Sequence, residues 1–271
     1  MVTARKEAAL AMRKTDVVIE VLDARVPRSA INPIFEELRR ENGRAALKVL
    51  NKSDLADPER TRRWLAWFCS QPGVKAIALS AKAPKEAKRI PEYAQALAPN
   101  RNSPLKPLRM MILGIPNVGK STLMNTLLAR TVTKVGDEPA VTKSHHRHEL
   151  GRGRWLTDTP GMLWPGIEQG AALKLAATHS IGRNAYDNAE VAAGLGSYLI
   201  DQYRPLLEQR FGPIPEGSSG HGLLQVIAQH RGFLIKGGAP DLERAARVLL
   251  GEFRDGTLGR ITLEIPDAPD A

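Results

Sequence analysis

The order of two short motifs constrains this chain more than any other feature. Asn51-Lys52-Ser53-Asp54 comes first, and Gly114-Ile-Pro-Asn-Val-Gly-Lys-Ser121 follows it. The first motif is typical of a loop that binds guanine, and the second of a loop that binds phosphates. In the ordinary arrangement the phosphate loop opens the nucleotide-binding domain and the guanine loop lies near its end. The sequence therefore predicts a circularly permuted domain, with its two halves exchanged.

The second motif has the residues that a phosphate loop needs. Its backbone N–H groups cradle the phosphates, Lys120 reaches the terminal ones, and the Ser121 hydroxyl binds Mg²⁺. The apolar run 107–113 before it predicts a buried strand, and residues 121–128 after it have helical spacing. We therefore predict that the nucleotide contacts Asn117, Val118, Gly119, Lys120, Ser121 and Thr122.

The Asn-Lys-x-Asp motif indicates which base is bound. The Asp54 carboxylate can accept two hydrogen bonds, from the ring N–H and the amino group of guanine, and adenine does not offer this pattern. Lys52 can lay its aliphatic stem along the base. Ser80-Ala81 closes the apolar run 74–79, where a backbone N–H would meet the guanine oxygen. A capped turn is the alternative for such a tetrapeptide alone, but the neighbouring phosphate loop disfavours it.

A third motif, Asp158-Thr-Pro-Gly161, follows the predicted strand 154–157. Here Asp158 is expected to hold Mg²⁺ through water, and the Gly161 N–H is expected to sense the γ-phosphate. Thr142 is the candidate for the switch threonine that binds Mg²⁺ only when GTP is present, and Thr131 and Thr133 are the alternative candidates.

Strand and helix patterns alternate along the first part of the chain. Residues 16–22 and 47–50 are predicted strands, and 33–39 and 58–68 are predicted helices, the latter capped by Asp57. Such alternation predicts an α/β fold, a doubly wound and mostly parallel sheet. We place a circularly permuted GTP-binding domain at 1–178 and a small all-helical domain at 179–271.

The helical tail is rich in arginine. The predicted helix 241–253 has one apolar face, which leaves its arginines elsewhere. These arginines belong either to a solvated helix or to an RNA-binding surface formed by Arg231, Lys236, Arg244, Arg247 and Arg254. The net charge of +10 favours a polyanionic partner, with a merely solvated basic surface as the alternative.

One cysteine, Cys69, excludes an internal disulfide and fits a reducing compartment. It follows the aromatic run 64–68, so we expect it to be buried in packing. No run reaches the ~18 apolar residues that span a bilayer, and the N-terminus lacks a secretory apolar region. We therefore expect a cytoplasmic protein without a membrane partner.

Over nearly its whole length the chain resembles the bacterial ribosome biogenesis GTPase A family. The resemblance rests on Asp23-Ala-Arg-Val-Pro-Arg-Ser29, on the permuted motif order and on the ending 237–263. It implies a GTPase, dependent on GTP and Mg²⁺, that binds a late precursor of the large ribosomal subunit. It also implies that the helical domain contacts rRNA, that hydrolysis accompanies release, and that the protein is monomeric off the ribosome.

The resemblance leaves the catalytic residue unassigned. Met162 stands where Ras-like enzymes have a water-positioning glutamine, and Asn117 matches an asparagine that binds K⁺ in potassium-activated GTPases. Family members begin with a segment of the type His-Phe-Pro-Gly-His-Met, whose second histidine is proposed to assist hydrolysis. This chain starts at about that Met, so we expect a start upstream, with hydrolysis that does not use this histidine as the alternative. Lys120 and Gly161 remain as phosphate stabilisers.

Three histidines, His145, His146 and His148, lie in the predicted strand 144–150. We expect exposed strand residues, with catalysis or RNA contact as the alternative.

Two other functions stay open besides ribosome assembly. One is a GTP-gated RNA-binding module with negligible hydrolysis, and the other is a GTPase in a different RNA task, such as tRNA modification. An ATP-using kinase is disfavoured because Asp54 has no suitable partner on adenine.

Overall fold

The computed structural model describes residues 2–101, 103–128, 147–182 and 185–267. The chain divides into two compact units: Met1–Gly166 with Glu264–Ala271, and Ile167–Leu263. The division expected at 178/179 differs from these units in two ways. Residues 167–178 belong to the second unit, and the chain returns to the first unit at Glu264.

The first unit is built on a six-stranded sheet of order β3-β2-β1-β4-β6-β5. Neighbouring strands are parallel except β5, which is antiparallel to β6. All seven residues of β1 are buried, as expected for a strand covered on both faces. The strands are β1 Val17–Asp23, β2 Ala45–Asn51, β3 Val74–Ala78, β4 Leu108–Leu113, β5 Arg147–Gly151 and β6 Arg154–Asp158.

Six helices of this unit are described: α1 Val2–Arg13, α2 Pro33–Glu41, α3 Pro58–Cys69, α4 Pro84–Ala87, α5 Ile90–Leu97 and α6 Lys120–Leu128. Two of them start with the same local chemistry. Asn32 caps α2 and Asp57 caps α3, each accepting backbone N–H bonds through its side chain, with a proline in the first turn. The predicted cap and start of α3 are therefore confirmed.

The expectation that Cys69 is buried was wrong, because its side chain is exposed at the end of α3. Trp64 and Phe68 are four residues apart and face the core together. The next residue points about 100° away from that face, so proximity to an aromatic run did not determine its burial.

The second unit consists of α7 Gln169–Ala177, α8 Asn188–Phe211, α9 Gly220–His230 and α10 Leu242–Asp255 in its described part. The predicted apolar face of α10 is confirmed at Ala245, Ala246, Leu249 and Phe253, which are buried. A Cβ at Gly220 would lie 1.7 Å from the Ala193 carbonyl oxygen, so α8 and α9 approach closely only because this residue is glycine. Within the described ranges, no helix is both long and apolar enough to cross a membrane.

Candidate functional site

The motifs that are distant in sequence meet at one edge of the sheet. Strands β1, β2, β4 and β6 are parallel neighbours in the order β2-β1-β4-β6. Their carboxyl ends therefore share an edge, where ligands bind in open α/β sheets. Asp23 and Asn51 end β1 and β2, Gly114 follows β4, and Asp158 ends β6.

The phosphate loop depends on two glycines. A Cβ at Gly114 would lie 2.7 Å from the Val21 carbonyl oxygen, and a Cβ at Gly119 would lie 2.2 Å from Asn51 Nδ2. Gly119 also has a φ of +94°, in the region that favours glycine. The loop then leads into the N-terminus of α6, and the N–H groups of a first helical turn are suited to anions.

The side-chain amide of Asn51 connects the predicted guanine loops to the phosphate loop. Its Nδ2 donates to the Val118 carbonyl oxygen at 2.7 Å, and its Oδ1 accepts the Ala81 N–H at 2.8 Å. The Ala81 N–H, which belongs to the loop expected at the guanine oxygen, is therefore bonded to Asn51 in this structure. Ser80, beside it, is half-buried. One amide thus holds three loops together.

Lys52 is held by its ammonium group at the same edge. Its Nζ lies 2.7 Å from the Asn117 carbonyl oxygen and 2.8 Å from Asp23 Oδ2. Both Lys52 and Asn117 have a φ of 60°, in the left-handed region, so the backbone changes direction sharply at each of them. Asp54 is exposed and Ser53 is half-buried. The carboxylate assigned to guanine is therefore accessible, while the lysine is bonded to the phosphate loop.

Asp23 and Arg25 were missed as site residues by the motif analysis. Arg25 binds the Asp23 carboxylate through Nε at 3.0 Å and Nη2 at 2.9 Å, and both side chains are buried. Burial opposes ionisation of Asp23, but Arg25 and Lys52 outweigh it and hold the pKa of Asp23 well below its usual range. The pKa of Lys52 is lowered, by burial and by the Arg25 charge, against the opposing effect of Asp23.

A signal for Asp23 was present in the sequence. An acidic residue ending a buried strand will face the same edge as the loop that follows the neighbouring parallel strand. The contact between Asp23 and Lys52 could be seen only from the strand register, which places Asp23 opposite Asn51, the residue before Lys52.

Lys120 and Asp158 form the second charged pair at the edge. Lys120 Nζ lies 2.7 Å from Asp158 Oδ1, and both side chains are almost completely buried. Ser121 follows directly and is half-buried. A hydroxyl and a carboxylate are the hard oxygen donors that Mg²⁺ prefers, so these residues fit that ion chemically. Thr142, Thr131 and Thr133 lie outside the described residues.

The segment 158–162 is packed against the phosphate loop. Thr159 Oγ1 donates to the Ile112 carbonyl oxygen at 2.9 Å. A Cβ on Gly161 would lie 3.4 Å from both the Gly114 carbonyl oxygen and the Pro116 nitrogen, so its backbone nearly touches that loop. The Met162 side chain packs on an apolar cluster that includes Phe35. Because this side chain is apolar, it cannot orient a water by hydrogen bonding as a glutamine would.

The basic residues selected in the second unit have different surroundings. Arg254 donates to the carbonyl oxygens of Ala177 and Ala176, each at 2.9 Å, and to the Tyr186 hydroxyl at 3.0 Å. It therefore caps the last turn of α7. Arg231 donates to Glu252 at 3.0 Å. These contacts engage both guanidinium groups within the unit.

The other three selected cations are exposed. The Arg244 guanidinium lies 4.1 Å from the centroid of the Phe233 ring, and the side chain of Arg247 is 63% exposed. Lys236 lies at the tip of a turn closed by an Ile235 N–H bond to the Ala239 oxygen at 2.9 Å. Leu234 and Ile235 in that turn are 60% and 52% exposed, and sequence reasoning did not select them.

Of the histidines considered, only His148 lies in the described part of the chain. It is half-buried in β5, opposite Leu156 of β6. His145 and His146 fall outside that part.

The chain is similar in sequence to known proteins. A family described as "50S ribosome-binding GTPase" matches residues 109–205. The chain is 35% identical to ribosome biogenesis GTPase A of Bacillus cereus, covering 98% of this chain and 92% of that one. It is 36% identical to the protein of the same name from Priestia megaterium, covering 98% and 94%.

Solved structures share its fold. GNP-bound YlqF from T. maritima aligns with a TM-score of 0.65 at 25% identity, covering 98% of this chain and 99% of that chain. GDP-bound YlqF also aligns with a TM-score of 0.65 at 25% identity, covering 94% and 96%. Both are circularly permuted, so the predicted fold class is confirmed.

Proposed function

Because this chain belongs to the ribosome biogenesis GTPase A family, we propose that it acts in late assembly of the large ribosomal subunit. The protein is a GTPase that binds and hydrolyses GTP. In our proposal it binds precursor subunits in the GTP state, contacts their rRNA through the second unit, and leaves on hydrolysis. It is a monomer off the ribosome and works in the cytoplasm, where bacterial subunits assemble.

The observation that carries this proposal is the convergence of both motifs on one sheet edge. Asn51 bridges the Val118 carbonyl and the Ala81 N–H, so the base-reading and phosphate-binding loops form one site. The Asp54 carboxylate would accept hydrogen bonds from the ring N–H and from the amino group of guanine. The loop amides from Asn117 to Thr122, with Lys120, would hold the phosphates. Gly161 would donate its N–H to the γ-phosphate.

The metal part of the proposal follows from donor chemistry. Ser121 and Asp158 would hold Mg²⁺, with Thr142 as the third candidate, and this ion would neutralise charge on the β- and γ-phosphates. Asn117 would contact K⁺ beside the phosphates. Lys120 and Gly161 stabilise the charge that develops on the transferred phosphoryl group, because preorganised donors act where that charge appears.

The proposed RNA surface is defined as Arg231, Lys236, Arg244 and Arg247. Exposed cations can replace the counterions of a phosphate backbone. Arg231 is the weakest member, because Glu252 lies 3.0 Å from it, closer than Glu243 lies to Arg247 at 4.0 Å. The exposed Leu234 and Ile235 would add apolar contact beside Lys236. Arg254 is left out, since its donors are used inside the unit.

Turnover of GTP with added ribosomal subunits tests the assembly role. We expect large subunits to stimulate hydrolysis, small subunits not to, and K⁺ to give faster turnover than Na⁺. Equal stimulation by both subunits would contradict the assembly role, and equal rates in K⁺ and Na⁺ would contradict the potassium site. Cosedimentation with large subunits should be stronger with a GTP analogue than with GDP.

A pair of variants separates RNA contact from nucleotide chemistry. Arg247→Ala should weaken cosedimentation and leave turnover without subunits unchanged. Arg62→Ala is the matched control, because its side chain is 73% exposed on α3 of the first unit. Equal binding by the two variants would contradict the proposed surface.

A further inference from the structure

Asn32 connects the start of α2 to the segment that follows the Asp158 motif. Its side chain uses both ends of the amide: Oδ1 accepts the Ile34 N–H at 3.0 Å, and Nδ2 donates to the Met162 carbonyl oxygen at 3.0 Å. Asn32 is only 1% exposed, so water does not compete effectively for these bonds. The first bond caps the helix, and the second holds a residue 130 positions away.

The position of Asn32 is supported by buried charges. Its backbone N–H lies 3.4 Å from Glu20 Oε1, and Glu20 is paired with Lys48. Lys48 also lies 2.9 Å from Glu36 of the same helix α2. Burial lowers the pKa of Lys48, but the two glutamates outweigh it and raise that pKa, so the lysine stays charged. This network anchors Asn32 to β1, β2 and α2.

The other end of the bond is a segment in contact with the phosphate loop. Met162 packs its side chain on the apolar cluster, and the preceding Gly161 lies against Gly114 and Pro116. We propose that Asn32 is a positioning residue that holds segment 158–162 against the phosphate loop. It does not touch the nucleotide itself; it acts through the backbone of Met162 and Gly161.

This inference has a consequence for nucleotide discrimination. It rests on the proposal that the Gly161 N–H senses the γ-phosphate. A carbonyl held by Asn32 restricts where that N–H lies, so GTP meets a donor already in place. GDP has no γ-phosphate and gains nothing from this restriction. Losing the Asn32 bond should therefore weaken GTP binding and leave GDP binding unchanged.

Asn32→Ser tests the bond with little change to the helix. Serine is an equally good cap for α2, but its side chain is too short to reach Met162. The matched control is Asn42→Ala at the opposite end of α2, where Asn42 Nδ2 donates to the Leu38 oxygen at 2.7 Å. Each variant loses one hydrogen bond donated by a side-chain amide at an end of α2, and only the Asn32 bond reaches the phosphate-sensing segment.

The measurement is titration with fluorescent GDP and a fluorescent non-hydrolysable GTP analogue. We expect Asn32→Ser to lower the affinity for the GTP analogue about fivefold, the effect of one net hydrogen bond. Its GDP affinity should stay within about twofold, and Asn42→Ala should change neither. Subunits are absent, so the result is independent of the ribosomal role.

An unchanged or raised ratio of GTP to GDP affinity in Asn32→Ser would overturn the inference. The same ratio change in Asn42→Ala would also overturn it, because the effect would then come from α2 stability. If Asn32→Ser does not fold, Asn32→Asp replaces it: aspartate keeps the cap but cannot donate when ionised. Gly161→Pro tests the premise separately, because proline has no backbone N–H; if it leaves GTP affinity unchanged, the proposed sensing role fails, whatever Asn32 does.

Discussion

The two units differ in where they keep their charges. Among the described residues of the first unit, eight charged ones are buried: Glu20, Asp23, Arg25, Arg39, Lys48, Lys120, Asp158 and Glu264. In the described part of the second unit, the buried polar residues are Thr178, Ser180 and Thr262, and none carries a charge. The cations considered for RNA binding are exposed or half-buried there.

This contrast separates two ways of binding an anion. A buried charge requires a partner because its desolvation is costly. The first unit therefore pairs its buried charges, and two of these pairs, Asp23 with Arg25 and Lys120 with Asp158, lie at the sheet edge where we propose that the nucleotide binds. An exposed arginine needs no fixed partner, so the second unit can present cations to a long phosphate backbone without building a cavity. Substitutions should consequently have large, specific effects in the first unit and smaller, screened effects in the second.

The largest effect is expected at Lys120. Lys120→Ala should lower GTP turnover by about 100-fold or more, because it removes a preorganised cation from the transferred phosphate. Phosphate release measures this directly. Lys75→Ala, at an exposed lysine of β3, is the control and should keep full turnover. A comparable loss in both would mean that general charge, not the paired site, determines activity.

Next is the change of base specificity at Asp54. Asp54→Asn should lower the affinity for GTP about 100-fold, because the acceptor loses its charge and the asparagine NH₂ group meets the guanine amino group, donor against donor. Xanthosine triphosphate offers a carbonyl where guanine has its amino group, and should bind the variant better than GTP does. Competition titration with the two nucleotides measures this. Without recovery by the xanthosine nucleotide, Asp54 would not be the base-reading residue.

A substitution of Glu36 tests whether its ion pairs with the buried Arg39 and Lys48 stabilise the first unit. Burial opposes its ionisation, but Arg39, Lys48 and Arg40 lower the pKa of Glu36 from 4.5 to about 2. A lowered pKa stabilises the fold above pH 4.5, and the contribution is lost as the pH falls towards 2. Glu36→Gln should therefore cost on the order of 2 kcal/mol at neutral pH and almost nothing near pH 2.

The unfolding of this unit can be followed separately, since all four tryptophans, at 64, 67, 155 and 164, belong to it. Urea titrations of tryptophan fluorescence across this pH range therefore measure the Glu36 effect. The control is Glu59→Gln, because Glu59 forms an exposed pair with Arg62 and such pairs contribute little. If Glu36→Gln lowers the free energy of unfolding by the same amount at every pH, then the shape of this side chain, and not its charge, stabilises the unit.

The smallest effects concern two arginines of α10. Arg254→Ala should destabilise the second unit by about 1 to 2 kcal/mol, because the last carbonyls of α7 lose their donor. Arg247→Ala should change stability by less than about 0.5 kcal/mol. Thermal unfolding followed by helical circular dichroism tests this ranking. Equal destabilisation would remove the distinction between a capping and a surface arginine in this unit.

Local structure was largely predictable. The strands, the capped start of α3 and the apolar face of α10 follow from periodicity and capping, which involve near neighbours in sequence. Burial of single residues was less predictable, as the exposed Cys69 shows. A helix position depends on a rotation of about 100° per residue, and composition does not record it.

By itself the sequence determined the permuted motif order, the predicted nucleotide class and the parallel sheet, because each depends on short motifs or on spacing. Only the tertiary structure decided how the polar groups pair. Asn51 and Val118 are 67 positions apart, and Asn32 and Met162 are 130 apart. Arg254 and Arg247 look alike in sequence, yet one caps α7 and the other faces solvent. Such pairings depend on strand register and helix packing, which bring distant residues within hydrogen-bond distance.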